Sequence, residues 1–268
     1  SRRQRQMCIR DRRHSFSLSG GTEKLKTNFS LNYYNADALY DKKNYERFNV
    51  RSNNDYNINN WIHANVDVNL LYSSTVTPHS AEGSIIKDFM ARSPLYNSYW
   101  VDGSYADGKD GDNPFALHDL GGTVKGQNYR INGKIQLDLT PIEGLTLTAI
   151  AAPQYTFYKG KDHKKKYDVF RISGDAIPGS GYATTSLNET RNDTHSLTMQ
   201  FYANYKLQLK RHSIGLMAGY EDYSYNWENE GASRTNYSLV NFPYLNLGPE
   251  DYQYLSLIHI SEPTRRVV

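Results

Sequence analysis

Through most of this chain, side chains alternate between apolar and polar with a period of two residues, a pattern that admits strands with two unlike faces and little else. From Leu25 the positions Leu25, Thr27, Phe29, Leu31 and Tyr33 suit an apolar surface, while Lys26, Asn28, Ser30 and Asn32 between them are polar. Phe48, Val50, Tyr56 and Ile58 stand opposite Arg47, Asn49, Arg51, Asn53, Asp55 and Asn57, and Ile62, Ala64, Val66, Val68 and Leu70 stand opposite His63, Asn65, Asp67 and Asn69. The same rule holds over 129–139, 145–157, 197–209 and 214–220. With a short opening strand at His14–Ser19, the alternation predicts eight strands.

Length and spacing separate this pattern from an ordinary soluble sheet. Most of the segments exceed the five or six residues usual in globular strands and reach the roughly 9–11 that a tilted strand needs to cross a bilayer. Short turns at Gly20–Lys24, Asn59–Asn60, Pro141–Gly144 and Lys210–Arg211 interleave with longer connections at Asp37–Asn44, Thr77–Gly126 and Gly160–Asn192. Short turns at one end and long loops at the other characterise transmembrane barrels, whose long loops face outward. The expected fold class is therefore all-β: an antiparallel transmembrane β-barrel fragment, about eight strands of a larger barrel, with long extracellular loops. A β-sandwich or solenoid would also alternate, but would not require the loop asymmetry.

Composition fits this reading. Mean hydropathy is −0.73 and only 38% of residues are hydrophobic, yet tyrosine occurs 23 times against 9 Phe and 3 Trp. That excess suits strands with one apolar and one wet face. No run of about 18 apolar residues exists, which excludes a transmembrane helix and leaves a barrel open.

The two ends differ from everything between them. Residues 1–12 and 255–268 resemble translated sequencing-adapter read-through and are set aside as non-native, the way tags are. The first carries five Arg against one Asp and the last two Arg against one Glu, so the +3 of the whole chain becomes −2 without them. No nucleic-acid partner follows from the basic balance. The single cysteine, Cys8, lies in the opening segment and leaves a cysteine-free middle compatible with an oxidising or surface location.

SFSLSGGTEKLKTNFSLNYYN resembles the first barrel hairpin of the SusC/RagA family of TonB-dependent transporters. In the family's order follow YERFNVRSNNDYNINNWIHANVDVNLLYS, the loop RSPLYNSYWVDGSYADGKDGDNPFALHDL, NYRINGKIQLDLTPIEGLTLTA, and KRHSIGLMAGYEDYSYNWE with its His212–Glu221 stretch. The resemblance covers nearly all of residues 14–253 and makes 13–254 a partial TonB-dependent receptor barrel. It implies an outer-membrane barrel of about twenty-two strands around an N-terminal plug, found in Bacteroidota. It also implies a SusD-like surface lipoprotein as partner, TonB–ExbB–ExbD reached through a missing N-terminal region that includes the TonB box, and glycans or peptides as cargo. Such a piece would be internal to the whole protein and unable to transport alone. An outer-membrane adhesin or binding barrel without transport is the alternative.

Two groups in the longest loop are candidate sites. Tyr96, Tyr99, Trp100 and Tyr105 could stack on sugar rings, or pack the loop against the barrel rim or a partner. Asp102, Asp107, Asp110 and Asp112 could ligate a structural Ca²⁺, although they lack the D-x-[DN]-x-[DN]-G spacing and read equally as Asp-Gly turns. KGKDHKKKYD, residues 159–168, reads as a basic loop tip facing solvent, lipopolysaccharide or substrate. His63, His163, His195 and His212 show no metal-ligand spacing, and no catalytic constellation assembles, so no enzyme and no cofactor are expected.

Overall fold

The structure, a computed structural model, describes residues 11–38, 40–80, 82–179, 182–209 and 211–267. Cys8, most of the opening segment and the turn residue Lys210 lie outside these. The main sheet has nine strands in the order β1-β2-β3-β4-β5-β6-β9-β10-β11, and a two-stranded β7-β8 ribbon stands apart. The strands are β1 (Arg12–Gly21), β2 (Leu25–Asp37), β3 (Asn44–Asn59), β4 (Ile62–Pro78), β5 (Gly122–Ile142), β6 (Leu145–Lys164), β7 (Asp168–Phe170), β8 (Ala176–Pro178), β9 (Ser186–Leu209), β10 (His212–Thr235) and β11 (Gln253–Val267). Every pairing in the main sheet is antiparallel. Eight strands stand where alternation placed them, and the ninth, β11, runs through the segment set aside on composition.

Tight hairpins fill one end of the sheet. At the third of them Gly144 takes φ 82, and a Cβ there would meet the Lys206 carbonyl oxygen at 2.4 Å, so only glycine fits. At the other end stand the connections 38–43, 79–121, 165–185 and 236–252. The second holds helices α1 (Glu82–Ala91) and α2 (Pro114–Leu120). Among the described residues no helix is long and apolar enough to cross a membrane.

Register turns the alternation of each strand into two continuous faces. Leu31 pairs with Val50, Val50 with Leu70, Leu70 with Ile131 and Ile131 with Tyr155, so one face is apolar across β2 to β6. Nothing covers it: Ile135 is 56% exposed, Leu216 64% and Phe201 50%. The other face is a hydrogen-bonded polar ladder. Asn49 Nδ2 donates to Asn69 Oδ1 (2.8 Å), Asn65 Nδ2 to Asp55 Oδ1 (2.8 Å) and Thr148 Oγ1 to Asp138 Oδ1 (2.6 Å), while Lys134 pairs with Asp67 at 3.3 Å.

A single row of rings closes the outer edge of the apolar face. His14, Tyr33, Phe48, Tyr72, Tyr129 and Phe157 are register partners in succession across β1 to β6. Their ring centroids lie 6.1, 4.6, 6.3, 4.9 and 6.0 Å apart. Such pairs contribute about 0.5–1.5 kcal/mol each beyond burial, and an aromatic girdle marks where a barrel passes from hydrocarbon to headgroups. Beyond the row the same face becomes polar, with Gln127, Lys159 and Arg191 in the next register row. β9 and β10 are 24 residues long, about twice what the hydrocarbon layer needs, so their outer halves project past it.

Candidate functional site: the outer loop cap

Apart from Leu187 at the outer start of β9, the best-buried side chains lie in the outer connections and the β7-β8 ribbon rather than in the main sheet. Ala116, Tyr167 and Val169 form a buried cluster against which Tyr105, Leu117, Leu120, Ile177 and Tyr182 pack. The connections 79–121 and 165–185, joined at their flank by 38–43, thus make a small folded cap at the outer end of the barrel wall.

Asn113 organises the longest loop. The Asn-Pro start of α2 places an N-cap side chain before a proline whose missing N–H the first turn does not need. Asn113 Oδ1 accepts from the backbone N–H groups of Phe115 (3.0 Å) and Ala116 (3.3 Å). Its Nδ2 donates to the carbonyl oxygens of Ser98 and Ala106, each at 2.8 Å. With 2% exposure it has no water to fall back on. The loop is also stitched to the β7-β8 ribbon: Phe170 N–H donates to Tyr105 O (2.9 Å), and Asp107 N–H and Trp100 Nε1–H both donate to Phe170 O (3.0 and 2.6 Å).

A polar clamp at the end of α2 holds the 38–43 connection. His118 Nδ1 lies 2.7 Å from Asp119 Oδ1 and its Nε2 3.0 Å from the Asp41 carbonyl oxygen. Tyr105 O–H donates to Asp119 Oδ2 (2.8 Å), and Lys42 Nζ donates to the carbonyl oxygen of Asp119. Burial raises the Asp119 carboxyl, but the bonds from His118 and Tyr105 outweigh it and hold the group below its ordinary value. The Tyr105 hydroxyl is pushed well up, by burial first and by Asp119 second. Burial lowers Lys42 despite the nearby Asp119.

The four candidate aromatics separate into two pairs. Trp100 and Tyr105 serve the cap itself, one bonded to Phe170 O and the other to Asp119. Tyr96 and Tyr99 remain 43% exposed. Tyr96 lines a cavity of about 280 Å³ with Phe89, Arg92, Asp112, Asn113 and Phe115, and beside it the Tyr99 ring packs tilted against Tyr105 and Phe115, with centroids 5.0 and 5.6 Å away. That cavity has ring faces and the Arg92–Asp112 ion pair at its wall.

The four aspartates do not converge. Asp102 Oδ1 accepts from Ser104 N–H (3.0 Å) and Oγ–H (2.7 Å), which holds its carboxyl below the ordinary value. Asp112 is ion-paired with Arg92, and Asp110 occupies a turn with φ 53. Among the described residues no three His, Cys, Asp or Glu side chains group so as to hold a metal. KGKDHKKKYD is not a loop tip: β6 runs through Lys164, and Tyr167 is buried in the cap. Sequence reasoning missed Asn113, His118, Asp119 and Lys42 as organisers, although the Asn-Pro pair was a readable helix-start signal.

The scan of family models found no match. The TonB-dependent receptor P3 of Formosa agariphila is 26% identical over 227 residues, which is 81% of this chain and 21% of that protein. Among solved structures, the RagAB peptide transporter superposes with a TM-score of 0.71 at 19% identity over 96% of this chain and 28% of its own. Its "open-open" importer state gives 0.72 at 20% identity with the same coverage. The chain spans a fifth to less than a third of the length of these relatives. The chain is thus similar in sequence to part of a TonB-dependent receptor and shares the barrel fold of the RagAB transporter.

Proposed function

We propose that the chain forms part of the wall and outer cap of a TonB-energised importer in the bacterial outer membrane, which takes up glycans or peptides together with a SusD-like lipoprotein. The observation that carries this is the pair of opposed faces bounded by one aromatic row: an uncovered apolar face for lipid, and a polar ladder for a lumen. The polar face also has unmet demand. Asn65 Oδ1, Asn128 Oδ1 and Asn132 Oδ1 are buried without a partner among the described residues, acceptors that water or a lumen-filling plug would satisfy. At the cap, Met90, Leu95 and Ile172 are 82%, 88% and 86% exposed, apolar side chains suited to a protein lid. Peptide import is what the RagAB name records of that relative, and the Tyr96 cavity suits either cargo class.

The same reading treats residues 1–12 and 255–268 as foreign to the barrel. Support comes from the poor match of β11 to its neighbour. Leu257 stands opposite Glu230 and Ile258 opposite Asn229, and Leu255 and Leu257 are 76% and 71% exposed. In β2 to β6, by contrast, apolar meets apolar.

Recovering the flanking reading frame from the source genome tests the proposal. A plug domain and TonB box upstream, a lipoprotein gene beside it, and uptake that stops when TonB is depleted are the expected results. A short amino-terminal segment leading straight into β1 would overturn it.

A further inference from the structure

Just outside the aromatic row, on its lipid-facing side, four cations gather on β5, β6 and β9. Lys125 is the register partner of Lys161, and Lys159 is the partner of Arg191. All four share the face of Tyr129 and Phe157 by the two-residue period. Like charges directly opposite on neighbouring strands are destabilising, and here two such pairs lie in adjacent rows. Glu189 answers one of them, 3.2 Å from Lys161. Lys125, Lys159 and Arg191 are exposed and have no ion-pair partner among the described residues, although Glu230 is the register partner of Arg191. An arrangement that costs stability in the bare protein calls for an anion from outside it.

Height selects the anion. Two and four residues beyond the aromatic row correspond to about 7 and 13 Å along a strand, or about 5 and 10 Å along the membrane normal at a barrel strand's tilt. The polar layer outside the hydrocarbon is about 5–8 Å deep on each side, and lysine and arginine reach along the surface to place their charges in it. We infer that Lys125, Lys159, Lys161 and Arg191 form a site for a phosphorylated lipid headgroup of the outer leaflet. The inference rests on the membrane orientation proposed above. It assigns to the outer wall, away from both lumen and cap, a binding role for anionic lipid.

The receptor carrying these strands, reconstituted in phosphatidylcholine vesicles with either bisphosphorylated or dephosphorylated lipid A, provides the test. Retained lipid is read by native mass spectrometry after detergent extraction, and the unfolding midpoint by heat-modifiability on gels. Wild-type protein should retain the phosphorylated form selectively and gain stability from it. K125Q/K159Q should weaken that retention roughly 25-fold, about five-fold for each surface cation removed. In dephosphorylated lipid the same variant should unfold at a higher temperature than wild type, because the repulsion is gone. K159R should behave as wild type, and R130Q, which removes a charge from the lumen face of β5, should retain lipid fully. Insertion into both vesicles with equal retention, or a variant indistinguishable from wild type, overturns the site alone. Stabilisation by inorganic phosphate to the same extent overturns the lipid assignment, and failure to insert into either vesicle overturns the membrane orientation and the site with it.

Discussion

Replacing Asn113 by alanine isolates how the cap is held. The substitution removes two acceptor contacts to the first turn of α2 and two donor contacts, to Ser98 O and Ala106 O. Loss of an N-cap costs about 1 kcal/mol. Ser98 O keeps its bond from the Ala106 N–H, so the further loss falls on Ala106 O, a buried acceptor left without a donor, which adds about 1–3 kcal/mol, for a total of about 2–4 kcal/mol. In hydrogen exchange, the Leu117 amide of α2 and the amide of its C-cap Gly121 should then open roughly 30- to 1000-fold more often, at ten-fold per 1.4 kcal/mol. Amides of the membrane-embedded part of β5 should not change. Asn113→Asp separates the contributions, because a carboxylate can still cap the helix but cannot donate to Ser98 O or Ala106 O. It should be nearly as damaging as alanine. Exchange in α2 unchanged within about two-fold for both variants would refute the assignment of Asn113 as the organiser, since even a cap alone is worth more than that.

Three further outcomes follow from the same geometry. Asp119 has a depressed carboxyl, so the stability it gives the cap is complete above the ordinary aspartate range near pH ~3.9 and is lost as pH falls through its lower folded value; exchange of the 114–120 amides should rise in acid for wild type, while Asp119→Asn should be open already at neutral pH and lose the acid step. Ile135→Lys places a charge on the apolar face and should cost about 2–4 kcal/mol of barrel stability in lipid vesicles, whereas Gln136→Lys on the polar face should stay within about 0.5 kcal/mol, equal effects counting against the face assignment. The chain expressed alone leaves β1 and β11 as unpaired edges with an uncovered apolar face, so it should aggregate without detergent; a stable monomer in size-exclusion chromatography would contradict the barrel assignment.

The wall of this molecule was legible because alternation is a local property. Ile62, Ala64, Val66, Val68 and Leu70 declare their face without reference to any partner. Strand ends were less legible: β5 begins at Gly122 and β9 at Ser186, well before the alternation near 129 and 197, because past the membrane both faces are polar and the period vanishes. The aromatic row was present in the sequence as a ring at the outer end of each apolar run from β2 to β6, but joining Tyr72 to Tyr129 across the 79–121 loop required the register. The cap was the least legible. Tyr105 reads as a ligand platform until Asp119 and the Phe170 strand close on it, and those contacts join loops distant in sequence. Lys159 and Lys161 looked like a loop tip because charge runs usually are, whereas strand pairing with β5 and β9 fixes them on the outer wall.

Which face of the sheet meets lipid is tested most directly by spin labels placed one at a time at 130–137 of β5 in the membrane-reconstituted receptor, on a background whose own cysteines have been replaced. Labels at 131, 133, 135 and 137 should be relaxed by oxygen dissolved in the bilayer, and those at 130, 132, 134 and 136 by a water-soluble nickel complex, in strict alternation. Uniform accessibility along the strand, or alternation of the opposite phase, would contradict a barrel wall with its apolar side in the membrane.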